Sequence, residues 1–292
     1  MVLDLARRAL QVAAVGALLA PLAAVTRLAG AVARNRLETE HAAGALAQLG
    51  VHERPISIER LGGGRSNAVC RIRFATRTVV LKQALAEGTL LALAARWVGP
   101  QPYGAVSASA RIGREARALE VLHAAGVRVP RVLAANRDAG LLLVEHVEGE
   151  PLPGVIERAG AGFAASRIRA YAAAVRAAHA AGVTLTDGHP GNALVDAAGN
   201  VTLIDLEFAE TAADLGDEFA ARCAFDLAYA AQYFHAEERR VFLAAANTHE
   251  RAIAASRLAG FAPLFELERR RQRSGARSTP SIPTSAGARS AA

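Results

Sequence analysis

Apolar residues fall along this chain in two rhythms. Ala9 to Thr26 is an uncharged, Ala-rich run of 18 residues. From Ile56 onward the pattern becomes short segments with apolar residues at every second position. That period predicts strands over Ile56–Leu61, Ala68–Phe74 and Thr78–Lys82. The first two are joined by Leu61-Gly62-Gly63-Gly64-Arg65-Ser66-Asn67 and the next two by Ala75-Thr76-Arg77, so the three form an antiparallel meander. Ser107 to Ala125 then reads as a helix with apolar residues at Ile112, Ala116, Leu119 and Leu122, and it stops at Gly126. Two further strands follow, Arg131–Ala135 and the almost wholly apolar, hence buried, Leu141–Glu145. Gly149 marks a crossover into a second lobe. There Ala161–Ala181 is a helix closed by Gly182, and a hairpin over Asp196–Asn200 leads into Val201–Asp205.

Composition narrows the possible functions. A chain of 292 residues that is 52% hydrophobic and 21% charged buries a sizeable core and is not largely disordered. Cys70 and Cys223 stand far apart, which excludes a disulfide scaffold. The net charge of +7 sits at the ends: +4 in residues 1–36 and +6 in 269–292, which leaves −3 for residues 37–268. The folded part is therefore no polyanion binder, and nucleic acid is excluded as a partner. For residues 1–36 the sequence allows a membrane-spanning helix, a helix lying in the interface, a cleavable signal or a helix packed on the domain; Pro21 and Gly16 weaken the first. If the run spans, its flanking arginines place the rest of the chain in the cytoplasm, at the inner face of the membrane. Residues 269–292 read as a disordered basic tail able to touch anionic lipid.

The candidate chemistry starts from one count. Of 34 basic residues only Lys82 is a lysine. Among so many arginines it marks a place where guanidinium does not replace a compact ammonium. It follows the glycine turn by two strand lengths, and that turn can aim backbone N–H groups at an anion. Glu115, one of two acids on the helix 107–125, is the chosen partner for the ammonium; a surface arginine at i,i+4 is the competing partner. Leu185-Thr186-Asp187-Gly188-His189-Pro190-Gly191-Asn192 and Ile204-Asp205 add two acids and an amide on loops at the ends of apolar strands. Carboxylate and amide oxygens suit Mg²⁺, and an acid outside the metal set can take a proton from a hydroxyl.

Together, Gly62-x-Gly64, Lys82, Glu115, Asp187-x-x-x-x-Asn192 and Asp205 resemble the protein-kinase-like fold, over about residues 52–245. The closest likeness is to its phosphotransferase branches, the aminoglycoside and choline kinases and the bacterial lipopolysaccharide kinases. Gly-Gly-Gly-Arg-Ser-Asn is similar to their Gly-Gly-x-Ser-Asn, and Asp-Gly-His-Pro-Gly-Asn to their Asp-Leu-His-Pro-Gly-Asn loop. The resemblance implies a two-lobed α+β fold: an N-lobe at 37–149 with an antiparallel sheet and one helix, and a mostly helical C-lobe at 150–268. It implies ATP and Mg²⁺ as cofactors. Gly62, Gly63, Gly64, Ser66 and Asn67 would cover the phosphates, Lys82 fixed by Glu115 would bind them, and backbone groups of Glu145 and Val147 would meet adenine. Asp187 would deprotonate the acceptor hydroxyl, Asn192 and Asp205 would hold the metal, and Asp226 would brace the catalytic loop.

The chain departs from the pattern in places. Leu185 stands where these families often have His, and Asn67 replaces the third glycine of protein kinases. Leu206-Glu207-Phe208 follows Asp205, no Ala-Pro-Glu lies downstream, and only Thr211 carries a hydroxyl between Asp205 and Asp226. These features speak against the regulated activation loop of a protein Ser/Thr kinase, and the short C-lobe favours the compact lipopolysaccharide-kinase type. The expected activity is ATP-dependent phosphoryl transfer to a hydroxyl of a sugar, glycolipid head group or small molecule. A protein Ser/Thr kinase, an ATP-binding pseudokinase scaffold and a membrane adaptor are the alternatives. Oligomeric state is not legible in the sequence.

Overall fold

A computed structural model of the protein describes residues 39–61, 67–84 and 107–248. The readings at 9–26 and 269–292, the glycines and serine of the turn at 62–66, and the connection at 85–106 lie outside the described residues.

The N-lobe is a five-stranded antiparallel sheet in the order β1-β2-β3-β5-β4, with a helix on each face. Its strands are β1 (Ser57–Arg60), β2 (Asn67–Arg73), β3 (Thr78–Ala84), β4 (Val132–Asn136) and β5 (Leu141–Glu145). Helix α1 (Thr39–Gln48) covers the outer face; Ala42, Ala45 and Leu46 pack there with Ile72, Phe74, Val79, Leu81, Leu141 and Leu143. Helix α2 (Ala108–Ala124) covers the inner face, where Ile112, Ala116, Leu119 and Leu122 meet Leu142 and Val144. With both faces covered, β5 has no need to alternate polar with apolar residues, and Leu141 to Val144 are all buried. Helix α2 begins where Ser107 Oγ accepts from the Ala110 N–H at 3.2 Å.

Register decides where Lys82 points. It lies opposite Leu142, and Val80 lies opposite Val144. Even-numbered residues of β3 therefore share the inner face with α2, while Val79 and Leu81 go to the outer core. A one-residue slip would send the lysine to the wrong side of the sheet.

Beyond Glu145 the chain enters a mostly helical C-lobe. Its elements are β6 (Glu150–Pro151), α3 (Leu152–Arg158), α4 (Ala161–Ala180), β7 (Val183–Thr184), β8 (Ala193–Val195), β9 (Val201–Leu203), β10 (Glu210–Thr211), α5 (Ala212–Leu215), α6 (Phe219–Ala231) and α7 (Ala236–Ala245). Gly149 lets the crossover run close to the β8–β9 hairpin: a Cβ there would come within 3.0 Å of the Leu194 side chain and 3.1 Å of the Val195 carbonyl. The elements whose bounds the periodicity predicted stand within a residue or two of them. Helix α1 is a second N-lobe helix where one was expected, added because the outer apolar face of the sheet also needs cover. The antiparallel sheet followed by helices is the expected α+β, kinase-like two-lobed fold.

The C-lobe core is centred on Tyr171. Its ring stacks on Phe242 at 5.7 Å and meets Phe234 edge-on at 6.1 Å, and Phe234 and Phe242 are 5.2 Å apart. Its hydroxyl donates to the Gly188 carbonyl, so the aromatic core supports the 185–192 loop directly. Burial holds the Tyr171 phenol well above its usual range, in its donor form. Phe242→Ala is expected to cost about 3–5 kcal/mol through the cavity beside Tyr171, read as a lower urea midpoint at unchanged m-value.

Candidate active site

Lys82 is the centre of the site. Its Nζ lies 2.5 Å from Glu115 Oε1 and 3.0 Å from Asp205 Oδ1. The glutamate comes from α2 and the aspartate from the loop after β9, so one ammonium joins the sheet, the helix and the C-lobe. Glu115 is 1% exposed and Lys82 10% by side chain, whereas the Asp205 carboxylate keeps 39% of its surface. Asp205 is thus the most open of the three. Burial alone would lower the Lys82 pKa, but the Asp205 and Glu115 carboxylates hold it above its ordinary value. Burial pushes Glu115 up against the pull of Lys82. For Asp205 burial acts in the same sense but the Lys82 ammonium prevails, and its carboxyl is held below the usual range. Glu115 Oε1 also accepts from the Leu206 N–H at 3.3 Å, which fixes the backbone immediately after Asp205.

The second half of the site is the loop from Leu185 to Asn192. Asp226, buried on α6, accepts from the N–H of Leu185 at 2.6 Å and of Thr186 at 2.8 Å, and lies 2.9 Å from His179 Nε2. This is the bracing expected of it. The residue at 185 has another part to play: the Leu185 side chain is buried and fills the inside of the loop, where a Cβ on Gly188 would come within 2.8 Å of it. The imidazole that bonds Asp226 comes from His179 on α4 instead. The loop's support thus does not depend on a histidine at 185.

Asn192 is positioned by the hairpin. Ala193 pairs with Leu203, and the Ile204 N–H donates to the Asn192 carbonyl at 2.9 Å, so Asn192 and Asp205 stand at the same end of β8 and β9. The Asn192 amide nitrogen donates to the Asp187 carbonyl at 3.0 Å, which turns Oδ1 into the atom able to ligate a cation. Among the described residues no group of three or more His, Cys, Asp or Glu side chains could hold a metal ion. One carboxylate with one amide fits a cation that takes its remaining ligands from phosphate and water. Thr186 at φ 61° and Asp205 at φ 60° are held in the left-handed region, which for a β-branched threonine is a strained conformation beside the site.

Of the residues proposed to meet the nucleotide, Asn67 opens β2, and Glu145 and Val147 lie at and just past the end of β5. The Glu145 N–H is spent on the Arg131 carbonyl at 3.0 Å, so the carbonyl is the backbone group of Glu145 able to face a ligand.

Three features escaped the sequence reading. Arg111, fully buried on α2, has its Nε 3.1 Å from Glu207 Oε2, and the same oxygen accepts from Asn67 Nδ2 at 3.0 Å. Arg111 thus reaches across to Glu207, and the i,i+4 relation to Glu115 serves instead to put both side chains on one face of α2. The Tyr229 hydroxyl donates to Asp187 Oδ1 at 2.8 Å. Tyr233 stacks on His189 with ring centroids 5.2 Å apart. The spacing Asp226, Tyr229, Tyr233, three and then four residues apart on one helical face, was the available signal. Arg111→Ala leaves the Glu207 carboxylate buried without this partner. It is expected to cost about 3–5 kcal/mol in a chemical-denaturation experiment, far more than removing a surface arginine such as Arg131.

Residues 57–181 match the phosphotransferase enzyme family. The matched stretch takes in the N-lobe sheet, Lys82, Glu115 and α4, and ends before Asp187. No curated protein matches the chain. Taken with the antiparallel sheet and the helical lobe that follows it, the match is consistent with the phosphotransferase branch of the protein-kinase-like fold and supports a kinase-type enzyme.

Proposed function

We propose that this protein transfers the γ-phosphoryl group of ATP, bound with Mg²⁺, to a hydroxyl of a sugar, a glycolipid head group or another small molecule. The observation that carries this reading is the Lys82 ammonium held between Glu115 and Asp205, together with Asp187 on a loop braced by Asp226.

Lys82 supplies a point charge for phosphate oxygens, and Glu115 keeps it aimed. Asp205 and the Asn192 oxygen are the metal ligands. Asp187 accepts the proton of the acceptor hydroxyl as that oxygen attacks. Gly62, Gly63, Gly64, Ser66 and Asn67 cover the phosphates, with Glu145 and Val147 meeting the adenine edge. Mg²⁺ held by these residues would supply neutralisation of the charge on the transferring phosphoryl group. Positioning and charge neutralisation are what phosphoryl transfer requires of a protein, and they are what this set of residues offers.

An acceptor near a membrane is supported by the ends of the chain: the uncharged run 9–26 flanked by arginines, and the six arginines of 269–292. The enzyme would work at the cytoplasmic face. No helix among the described residues is long and apolar enough to cross a membrane, and 9–26 lies outside them.

The test is Mg²⁺-dependent ATP consumption by the full chain, offered bacterial glycolipid extract, pooled sugars and amino alcohols in separate reactions. Acceptor-stimulated turnover should fall by about 10²-fold or more in Asp187→Ala and in Lys82→Ala. Loss of stimulation on chelating Mg²⁺ is expected as well. Absence of any ATP-induced thermal shift in the presence of Mg²⁺, or undiminished turnover in both variants, overturns the reading.

A further inference from the structure

The helix after the metal loop does more than brace a backbone. Along one face of α6 and its C-terminal turn, three side chains reach three successive parts of the 185–192 loop. Asp226 takes the N–H groups of Leu185 and Thr186. Tyr229 donates its hydroxyl to the carboxylate of Asp187 at 2.8 Å, and Tyr233 stacks on the ring of His189. The two phenol oxygens lie 2.9 Å apart. An ionised carboxylate only accepts, so Tyr229 spends its single hydrogen on Asp187, and Tyr233 is then the donor to Tyr229. The result is a directed chain, Tyr233 to Tyr229 to Asp187, whose outer ring is clamped against the same loop it serves.

We infer that Tyr229 is a positioning residue for the reaction, fixing the orientation of the Asp187 carboxylate towards the acceptor hydroxyl, with Tyr233 holding Tyr229 in the donor role. The inference rests on the phosphotransferase reading of Asp187 given above. Asp187 sits in a loop rather than a strand or helix, and a short acid side chain there has two freely exchanging oxygens and a rotatable χ2. A hydrogen bond to Oδ1 removes that freedom and distinguishes the two oxygens. Phe225 stacks on Tyr229 at 5.8 Å, which limits the ring to the plane from which its hydroxyl reaches Asp187. The polar pair also explains why the Ala-rich α6 and the turn after it carry a tyrosine each, Tyr229 and Tyr233, in that stripe.

The test uses the full chain with Tyr229→Phe, Tyr233→Phe and Asp187→Ala. Steady-state kinetics are run with Mg·ATP and the acceptor pools named above, alongside ¹H NMR of slowly exchanging hydroxyl protons. In Tyr229→Phe, kcat should fall about tenfold or more while KM for ATP and the ATP-induced thermal shift stay within twofold of wild type. Tyr233→Phe should show the same split with a smaller loss. A tyrosine hydroxyl proton protected from solvent in the wild type should disappear in both Tyr229→Phe and Asp187→Ala. The wild type and Asp187→Ala decide the contact by themselves if Tyr229→Phe folds poorly. Wild-type kcat in Tyr229→Phe, with Asp187→Ala inactive, overturns this role and leaves the phosphotransferase reading standing. Survival in Asp187→Ala of the proton assigned to Tyr229, as distinct from that of the buried Tyr171 hydroxyl, also overturns it. Equal turnover in Asp187→Ala and wild type removes the reading itself, and this role with it.

Discussion

Everything in the site depends on one ammonium group that has been taken out of water. A buried lysine loses its hydration, and only close carboxylates can offset that loss. Lys82 has two, 2.5 and 3.0 Å away, and they come from different lobes. The charge therefore acts as a fastener. β3 holds its stem by register, α2 brings Glu115, and the loop after β9 brings Asp205. If any one of the three elements moved away, a buried charge would remain without its partner. That electrostatic cost makes the relative placement of the sheet, the helix and the loop after β9 far stiffer than apolar contact alone would.

The second buried pair follows the same logic. Arg111 and Glu115 are one helical turn apart on α2, and each meets the 205–207 segment: Glu115 accepts from the Leu206 N–H, while Arg111 faces Glu207. Asn67, at the end of the glycine turn, joins the same carboxylate. The segment is thereby fixed on both sides of Leu206, and the left-handed φ of Asp205 persists because its flanks are over-determined. A glycine two residues after Asp205 could not do this. Glu207 replaces backbone freedom with an ion pair, which suits a site whose geometry is set at folding rather than switched by a regulated loop.

Much of this was legible in the sequence, and for identifiable reasons. Period-two alternation located β1 to β3, and the fully apolar Leu141–Val144 located β5, because strand burial leaves a direct imprint on residue type. Lys82 stood out as the sole lysine, and the Asp187 to Asp205 block stood out by spacing. For the acid that pairs with Lys82 the helix offered only Glu115 and Glu120, and Glu115 was chosen; the structure pairs it with Lys82. Arg111, Glu207, Tyr229 and His179 were not legible. Arginine and glutamate are common surface residues in this composition, and only long-range contacts, over separations of 96 residues for Arg111 and Glu207, give them their environment. The bond from His179 to Asp226 likewise depends on how α4 and α6 cross.

The case of Leu185 shows how such contacts alter a reading. Considered by motif, a leucine in place of histidine two residues before Asp187 counts against catalysis. In the structure a buried side chain lies beneath Gly188 and an imidazole bonds Asp226, and the two come from different residues. Leu185 fills the space and His179 supplies the nitrogen. Asp226 then satisfies two loop N–H groups and one ring nitrogen, which uses its carboxylate fully in a setting where an unpaired oxygen would be costly. A motif records which residue usually does a job; the physical demand is that the job be done, and here it is done from the neighbouring helix.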